Sequence, residues 1–175
     1  MLKPGDQAPA FDMPCSVDGA AGRVSLGGLR TEMVVVFFYP RDFSFICPTE
    51  VIGFHKHRED FAAAAASIVG ISVDDVESHR RWAQELGGVS YPLAADAKGE
   101  VARLYGVFDD KEQVAMRATF ILNRRRMISY AVASQINVGR SVSETLRVVK
   151  ALRSGQPCPA DWQPGDATGP AGLKY

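Results

Sequence analysis

The run Met33–Phe38 constrains the fold of this chain more than any other stretch, because an unbroken series of β-branched and aromatic residues is typical of a fully buried strand. The chain then turns through Pro40 and Asp42 and reaches Cys47, which directly precedes Pro48. Since proline is favoured in the first turn of a helix, Cys47 is predicted to lie at a helix N-terminus. The free N–H groups and the helix dipole stabilise an anion there, which favours a reactive thiolate.

Taken alone, the Cys47-Pro48 pair is equally compatible with a structural cysteine buried in an aromatic turn. The surrounding residues favour a reactive thiol instead. Ser44 can place a hydroxyl in the same bend, and Thr49 and Glu50 follow directly after the proline. This combination of residue types at fixed spacings is typical of a functional site.

The pattern Pro40-x-x-x-Ser44-x-x-Cys47, within Phe-Tyr-Pro…Cys-Pro-Thr-Glu, resembles the active-site motif of peroxiredoxins. More specifically, it resembles the typical two-cysteine class that includes the peroxidase component of bacterial alkyl hydroperoxide reductase. That family commonly has threonine at the position of Ser44, so the hydroxyl is kept. The similarity extends from about Gly5 to about Asp166, and it implies a thiol-dependent peroxidase that reduces hydrogen peroxide and small organic hydroperoxides.

The resemblance also implies roles for four side chains around the peroxide. Cys47 is the expected peroxidatic nucleophile. Arg117, in the pattern Arg-x-x-Phe-Ile, is expected to stabilise the thiolate and to hydrogen-bond both peroxide oxygens as charge moves across them. Ser44 is expected to donate a hydrogen bond to the peroxide, and Pro40 to shield the thiolate from water.

Two further residues, Glu50 and Arg140, resemble the pair that holds this network in register. Without the resemblance, Arg117 and Arg140 would each be interpreted as members of surface ion pairs. Only the resemblance therefore places the two arginines in the pocket.

A second thiol completes the expected chemistry. Cys158, in the pattern Cys-Pro-x-x-Trp that ends at Trp162, resembles the resolving cysteine of the family. The thiolate of Cys47 would become a sulfenic acid and condense with this thiol to a disulfide. In the family the resolving thiol belongs to the other subunit, so the resemblance implies an intersubunit Cys47–Cys158 disulfide, a homodimer and, in some members, a ring of dimers. A thiol reductant such as thioredoxin or a flavoprotein disulfide reductase would regenerate the enzyme.

Composition adds limits on class and location. A chain of 175 residues with 46% hydrophobic content fits one domain, residues 1–175, in which residues 154–175 form a loop-rich tail. Twenty basic and twenty acidic residues cancel, so no global charge points to nucleic acid or to an anionic membrane. The N-terminus lacks a signal-peptide core, and no apolar run is long enough to span a membrane. Three cysteines without a Cys-x-x-Cys pair favour a reducing cytoplasm.

The other cysteine and two histidines are expected to have no role in the chemistry. Nothing near Cys15 would activate its thiol, so we expect a small, partly buried residue. His55 and His57 are two positions apart and would point to different faces of a helix, and no cluster of cysteines or carboxylates completes a metal site. Neither a metal nor a cofactor is expected.

The order of predicted elements indicates an α/β thioredoxin-like fold, a central mixed sheet flanked by helices, with an N-terminal hairpin extension. The predicted elements after the first strand are a helix over residues 48–66, a strand over 67–73, a helix capped by Asp74 or Asp75, a short extended piece over 91–94, a brief helix capped by Asp96, a hairpin of 118–122 and 127–133, and a last helix that opens with the capping box Ser141-x-x-Glu144.

Two other functions compete with a peroxidase. A thioredoxin-type disulfide oxidoreductase would need a second cysteine three residues from Cys47, where Ser44 stands. A ring-forming holdase chaperone would need no reactive thiol and would keep its activity in a Cys47→Ser variant. The sequence is compatible with thioredoxin, a flavoprotein disulfide reductase or another thiol donor as the reductant. It is also compatible with a dimer or with a ring of dimers.

The sequence also predicts resistance to excess peroxide. Sensitive members of the family carry a Gly-Gly-Leu-Gly insert and a C-terminal helix with Tyr-Phe, both of which cover the first turn of the peroxidatic helix. Here Gly87-Gly88-Val89-Ser90 leads at once into Tyr91, and residues 172–175 lack a Tyr-Phe pair. Little should then hold the first turn closed, so condensation should outpace further oxidation.

Overall fold

A central sheet of seven strands organises the computed structural model, which describes residues 1–170. Strand β3 lies near its middle, parallel to β4 on one side and antiparallel to β8 on the other. The spatial order is β2-β1-β5-β4-β3-β8-β9, and β6 and β7 pair separately. The strands are β1 Asp12–Val17, β2 Ala20–Ser25, β3 Met33–Phe38, β4 Ala66–Ser72, β5 Leu93–Ala95, β6 Phe108–Asp109, β7 Val114–Ala115, β8 Arg117–Leu122 and β9 Ile128–Ser134.

Five α-helices pack against the two faces of this sheet. One buried cluster contains residues of α1, α2, α3 and α5 together with Val35 and Phe37 of β3, and the other contains residues of α4 together with Val34, Val36 and Phe38. The helices are α1 Cys47–Lys56, α2 Arg58–Ala63, α3 Val76–Glu85, α4 Glu100–Leu104 and α5 Val142–Ser154. The predicted mixed sheet with helices on both faces and an N-terminal hairpin, β1–β2, is therefore confirmed.

Strand β3 has the predicted bounds and is buried along its whole length. Its alternating side chains serve both cores: Phe37 stacks on Phe54 of α1 with ring centroids 4.3 Å apart, and Phe38 packs on Tyr105 at 5.2 Å. Each such side chain contributes roughly 1.5–3 kcal/mol by its burial. The packing of Phe37 on Phe54 fixes α1, and hence Cys47 at the start of α1, above the carboxyl end of the strand.

The predicted helix over residues 48–66 is wrong in its continuity and in its end. Helix α1 ends at Lys56, α2 follows from Arg58 to Ala63, and Ala66 already belongs to β4. Ala65 has a φ of 53° and its carbonyl accepts from Met33 N–H, so the chain leaves the helix to start the pairing of β4 with β3. Tertiary hydrogen bonding thus overrides the helix propensity of the alanine run.

The later elements follow the predictions closely. The Asp75 carboxylate caps α3 by accepting from Ser78 N–H, and the Asp96 carboxylate accepts from the N–H groups of Val101 and Ala102 in α4. Ser141 caps α5 by accepting from Glu144 N–H at 3.1 Å. The reciprocal half of the capping box does not form, because the Glu144 carboxylate pairs with Arg147 instead.

The tail after α5 docks on that helix within the described residues. Trp162 is buried, and its carbonyl accepts a hydrogen bond from Arg147 Nη1 at 3.0 Å. In the described part of the chain no helix is long and apolar enough to cross a membrane. The sequence prediction for residues 172–175 lies outside the described residues.

Candidate active site

Cys47 is the first residue of α1, as predicted, and Pro48 is the second. The preceding residue, Ile46, has no side chain that caps the helix, so the first N–H groups of α1 are not occupied by a side-chain cap. The Cys47 side chain is completely buried. The thiol therefore lies at the positive end of a helix dipole and out of contact with bulk water.

Arg117 reaches the thiol because of the register between β3 and β8. Phe38, the last residue of β3, pairs with Ala118, so Arg117 stands one position beyond the carboxyl end of β3. Its Nη1 lies 3.2 Å from Cys47 Sγ and 2.8 Å from Glu50 Oε2, and its Nε donates to Ile136 O at 2.8 Å. The planar guanidinium is thereby held in one orientation against the sulfur.

Glu50 lies one turn after Cys47 in α1 and joins the two arginines. Its Oε1 accepts from Arg140 N–H at 2.8 Å and from Arg140 Nε at 2.9 Å, while its Oε2 accepts from Arg117. Arg140 also donates to Phe38 O and to Ala118 O, at 2.6 and 2.9 Å. The same guanidinium thus ties the ends of β3 and β8 to the first turn of α1.

The charges of this network do not cancel without the thiol. Arg117, Arg140 and Glu50 are each at least nine-tenths buried and together carry one net positive charge. Burial lowers the pKa of the Arg140 guanidinium, and Glu50 opposes that shift, but an arginine keeps its proton in any such setting. A thiolate at Cys47 would neutralise the excess charge in a medium where uncompensated charge is costly.

The structure brings Pro40 and Ser44 to the same loop, although Ser44 does not contact the sulfur. Pro40 is buried and follows Tyr39, the first residue after β3. Ser44 is half-buried, and its hydroxyl donates to Arg41 O at 3.2 Å. The Ser44 hydroxyl is therefore paired within the loop, and it can donate to another acceptor only by leaving Arg41 O.

Cys158 lies apart from Cys47 within one chain. Its sulfur contacts Gln156 O at 3.4 Å and Ser154 Oγ at 3.5 Å, at the C-terminal end of α5, whereas the sulfur of Cys47 contacts Arg117. Both thiols are free, and so is that of Cys15. Cys15 is completely rather than partly buried in β1, and burial raises the pKa of its thiol.

Among the described residues no group of three histidines, cysteines or carboxylates could hold a metal ion. His55 Nδ1 accepts from Ser90 N–H at 3.3 Å, while His57 pairs with Asp60 at 3.0 Å. The two histidines thus have separate partners.

A buried polar cluster that no sequence motif indicates lies behind the loop between β3 and α1. Its centre is a 2.8 Å pair between Asp42 and His79, which are 37 positions apart. In the sequence, His79 stands at helical spacing with Val76, Ala83 and Leu86, which is typical of an inward-facing position but does not indicate a polar partner. The only available signal was a polar residue on an apolar helix stripe.

Sequence comparison identifies the family. A model of the AhpC/TSA family matches residues 4–131. A putative peroxiredoxin of Synechocystis sp. is 41% identical over 179 residues, covering 96% of this chain and 90% of the relative. Peroxiredoxin-2 of Mus musculus is 38% identical, covering 94% and 88% of the two chains.

Solved structures agree with this assignment. The reduced 2-Cys peroxiredoxin of Plasmodium vivax superposes with a TM-score of 0.89 at 28% identity, covering 96% of this chain and 93% of that one. For Mycobacterium tuberculosis AhpC the TM-score is 0.85 at 32% identity, with 93% and 99% covered. These comparisons favour neither a disulfide oxidoreductase nor a holdase chaperone. The chain belongs to the AhpC/TSA family: it is a peroxiredoxin with a thioredoxin-like fold, a thiol-dependent peroxidase.

Proposed function

We propose that Cys47 is the peroxidatic thiolate and that it reduces hydrogen peroxide and small organic hydroperoxides. The contact of 3.2 Å between Arg117 Nη1 and Cys47 Sγ carries this proposal. It joins the sulfur to a buried network with one excess positive charge, which favours the thiolate over the thiol. The helix N-terminus adds to the same effect.

The first step is a displacement at oxygen. The thiolate of Cys47 attacks the terminal oxygen of R–O–O–H, the S–O bond forms, and the O–O bond breaks. The sulfur is oxidised to the sulfenic acid, and the departing alkoxide takes a proton and leaves as alcohol, or as water when R is hydrogen. Arg117 donates hydrogen bonds to the oxygens as negative charge moves from sulfur to the leaving group.

The loop side chains would support that step. Ser44 would turn its hydroxyl from Arg41 O to the bound peroxide and hold the attacked oxygen in line with the sulfur. Pro40, buried beside the end of β3, would keep water from the thiolate. Glu50 and Arg140 do not touch the peroxide but hold Arg117 in its orientation.

The second step joins two chains. The thiolate of Cys158 from a partner attacks the sulfenic sulfur of Cys47, an S–S bond forms, and the hydroxyl leaves as water after it takes a proton. The separate surroundings of the two thiols in one chain favour this intersubunit route. An external dithiol, thioredoxin or a flavoprotein disulfide reductase, then reduces the disulfide and is itself oxidised.

Exposed apolar side chains support assembly. Edge strand β9 and the loop after it expose Val132, Ile136 and Val138 to 39%, 51% and 52%. Phe43 and Phe45, before α1, are 48% and 95% exposed. The first group would pair two chains into a dimer, and the second would join dimers into a ring. Three free thiols suit a reducing compartment such as the cytoplasm.

Peroxide consumption in the presence of a thiol reductant tests the proposal. The Cys47→Ser variant should lose turnover, whereas Cys15→Ser, a matched change of a buried cysteine, should keep it. Activity that survives in Cys47→Ser would contradict the assignment of the nucleophile. Parallel assays with thioredoxin and with a flavoprotein disulfide reductase identify the reductant.

A further inference from the structure

A buried polar cluster behind the loop between β3 and α1 has no part in the chemistry above. Its centre is the carboxylate of Asp42, whose side chain is completely buried. It accepts hydrogen bonds from Tyr39 Oη at 2.9 Å, from Ser78 Oγ at 2.8 Å and from His79 Nδ1 at 2.8 Å. Since an ionised carboxylate only accepts, His79 Nδ1 carries a proton. Three donors thus tie the loop to α3 and to the end of β3.

The backbone of Asp42 is fixed as well. Its N–H donates to Asp74 Oδ2 at 2.9 Å, and the same oxygen accepts from Ser72 Oγ at 2.7 Å. Ser72 is the last residue of β4, so this bond ties the loop to a second strand of the sheet. Both the side chain and the backbone of Asp42 are therefore held by rigid elements.

Two features show that this arrangement does not simply maximise stability. The ring of His79 is completely buried, and its Nε2 has no hydrogen-bond partner among the described residues. Leaving such an atom unpaired lowers the stability of the folded state. The next residue in the loop, Phe43, has a φ of 52°, which is strained for an aromatic residue. Strain of this kind persists where the surroundings fix the backbone, as they do at Asp42.

Cys47 lies between two such fixed points. Upstream is Asp42, and downstream is Glu50, bonded to Arg117 and Arg140. The residues between them, 43–49, include several exposed side chains, with Phe45 exposed to 95%. Because the Cys47 sulfur is completely buried, it can meet a thiol of another chain only if this segment opens.

We propose that Asp42, held by Tyr39, Ser78 and His79, is the fixed upstream hinge of an opening segment formed by residues 43–49. The four are positioning residues, because none touches the reacting atoms. Their hydrogen bonds favour the closed form, in which Arg117 contacts the sulfur, and so set the small population of the open form that can condense. The role in condensation rests on the proposed function, whereas the role as a hinge does not.

Hydrogen exchange tests the hinge directly. In reduced Asp42→Asn, amides of residues 43–49 should exchange about tenfold faster, while those of β4 and the C-terminal half of α1 stay unchanged. His79→Leu should act likewise. His79→Asn should restore slow exchange, because its side-chain N–H can replace Nδ1–H as donor to Asp42. If His79→Asn behaves like His79→Leu, or if exchange rises equally along the whole chain, the hinge is refuted.

The matched control is Leu122→Ala, at the far end of β8 and in the core of the opposite face. This variant should lower the global stability of the protein, but the amides of residues 43–49 should not exchange faster relative to those of the flanking residues. Faster exchange confined to residues 43–49 in Leu122→Ala would overturn the proposal. Should Asp42→Asn not fold, Tyr39→Phe and Ser78→Ala each remove one donor and should still speed exchange about twofold to fourfold. An unchanged rate in both would refute the hinge.

Single-turnover kinetics measure the consequence for the enzyme. The population of a minor open form can rise about tenfold while most molecules remain closed. The rate of disulfide formation in Asp42→Asn should therefore rise about tenfold. The rate of Cys47 oxidation by peroxide, which takes place in the closed form, should stay within about twofold of normal. A condensation rate equal to that of the unchanged enzyme would overturn this part. If the unchanged enzyme forms no Cys47–Cys158 link, the proposed resolving step has failed, and the exchange data alone decide the hinge.

Discussion

Glu50 is the residue on which both buried arginines of the site converge, and its carboxylate is 1% exposed. Removing its charge leaves the two buried guanidinium groups without a carboxylate to pair with. The side chain therefore acts in two ways. Its negative charge compensates the buried charge of the arginines, and its hydrogen bond holds Arg117 against the sulfur.

We expect Glu50→Gln to lower the free energy of unfolding by about 3 kcal/mol, because breaking a buried ion pair leaves charge uncompensated. Urea denaturation followed by circular dichroism measures this loss. The matched control is Glu59→Gln in α2, whose carboxylate pairs with Arg58 but is 84% exposed, and which should change stability by no more than about 0.5 kcal/mol. Equal losses in both variants would contradict the assignment.

Arg117→Lys tests the geometry rather than the charge. A lysine keeps the positive charge but cannot donate at once to Cys47, Glu50 and Ile136 O in the fixed plane of a guanidinium. We expect the rate constant for oxidation of Cys47 by hydrogen peroxide to fall at least about tenfold, a loss of ~1.4 kcal/mol of transition-state stabilisation. Stopped-flow measurement of that step checks it, with Arg125→Lys in the exposed turn before β9 as the control. A rate within twofold of normal would show that charge alone suffices.

At the scale of elements, the tail after α5 is held by a partly exposed ion pair. Glu144 bonds Arg147 through two contacts of 2.6 and 2.7 Å, and Arg147 in turn donates to Trp162 O. This pair orients the segment that carries Cys158. The hydrogen bonds from Arg147 lower the pKa of Glu144 in the folded state.

The pKa of Glu144 is lower in the folded state than in the unfolded chain. Its ion pair with Arg147 therefore stabilises the docked tail fully at a pH above the unfolded-state pKa, and this stabilisation is lost as the pH falls through the folded-state pKa. We therefore expect the tail to loosen in acid, below about pH 4. The effect should be under about 1 kcal/mol, since Glu144 is 45% exposed. Emission from Trp162, measured in a Trp82→Phe background, reports it. Glu144→Gln should show loosening at neutral pH, whereas Glu77→Gln in α3 should not; identical pH profiles would contradict the expectation.

The elements also show what the sequence could predict. The sequence predicts both ends of strand β3 correctly. A strand that is buried on both faces is an unbroken apolar run, which can be recognised without knowing its neighbours in the sheet. The end of α2 could not be predicted in this way, because the change from helix to strand at Ala66 depends on its pairing with Met33. In the site, the motifs predicted that Cys47 and Arg117 lie together, and the two side chains are in contact at 3.2 Å. The motifs could not identify the Asp42–His79 pair, whose two side chains meet only when α3 packs behind the loop.

At the scale of the whole molecule, the positions of the two thiols predict a covalent dimer on oxidation. Cys47 begins α1, and Cys158 lies beyond the end of α5. Peroxide-treated enzyme should therefore run as a dimer on a denaturing gel without reductant, with a Cys47–Cys158 peptide as the main linked product. Cys15→Ser should behave in the same way, because that thiol is buried in β1. A monomeric band, or a link through Cys15, would contradict the expected pairing.

If residues 43–49 open as proposed, the same transition from closed to open form should decide how the enzyme tolerates excess peroxide. The sulfenic acid of Cys47 either condenses with Cys158 or is oxidised further to sulfinic acid, so any contact that delays opening favours inactivation. Here the loop after α3 contributes no such contact among the described residues. Its Val89 is buried and accepts from Asp18 N–H at 3.0 Å, and Ser90 bonds His55 in the second half of α1, away from the first turn.

We therefore expect turnover to continue for many cycles as peroxide rises, with little sulfinic acid at Cys47 in mass spectra of the peptide. The Cys158→Ser chain is the matched control, because it cannot condense and should accumulate sulfinic acid at modest peroxide. Loss of activity within a few cycles in the unchanged enzyme, with sulfinic Cys47 appearing as fast as in Cys158→Ser, would show that the segment opens slowly. The contact that delays opening would then be sought at Phe45, in the loop before α1, because this side chain is 95% exposed in the single chain and is free to pack against another chain.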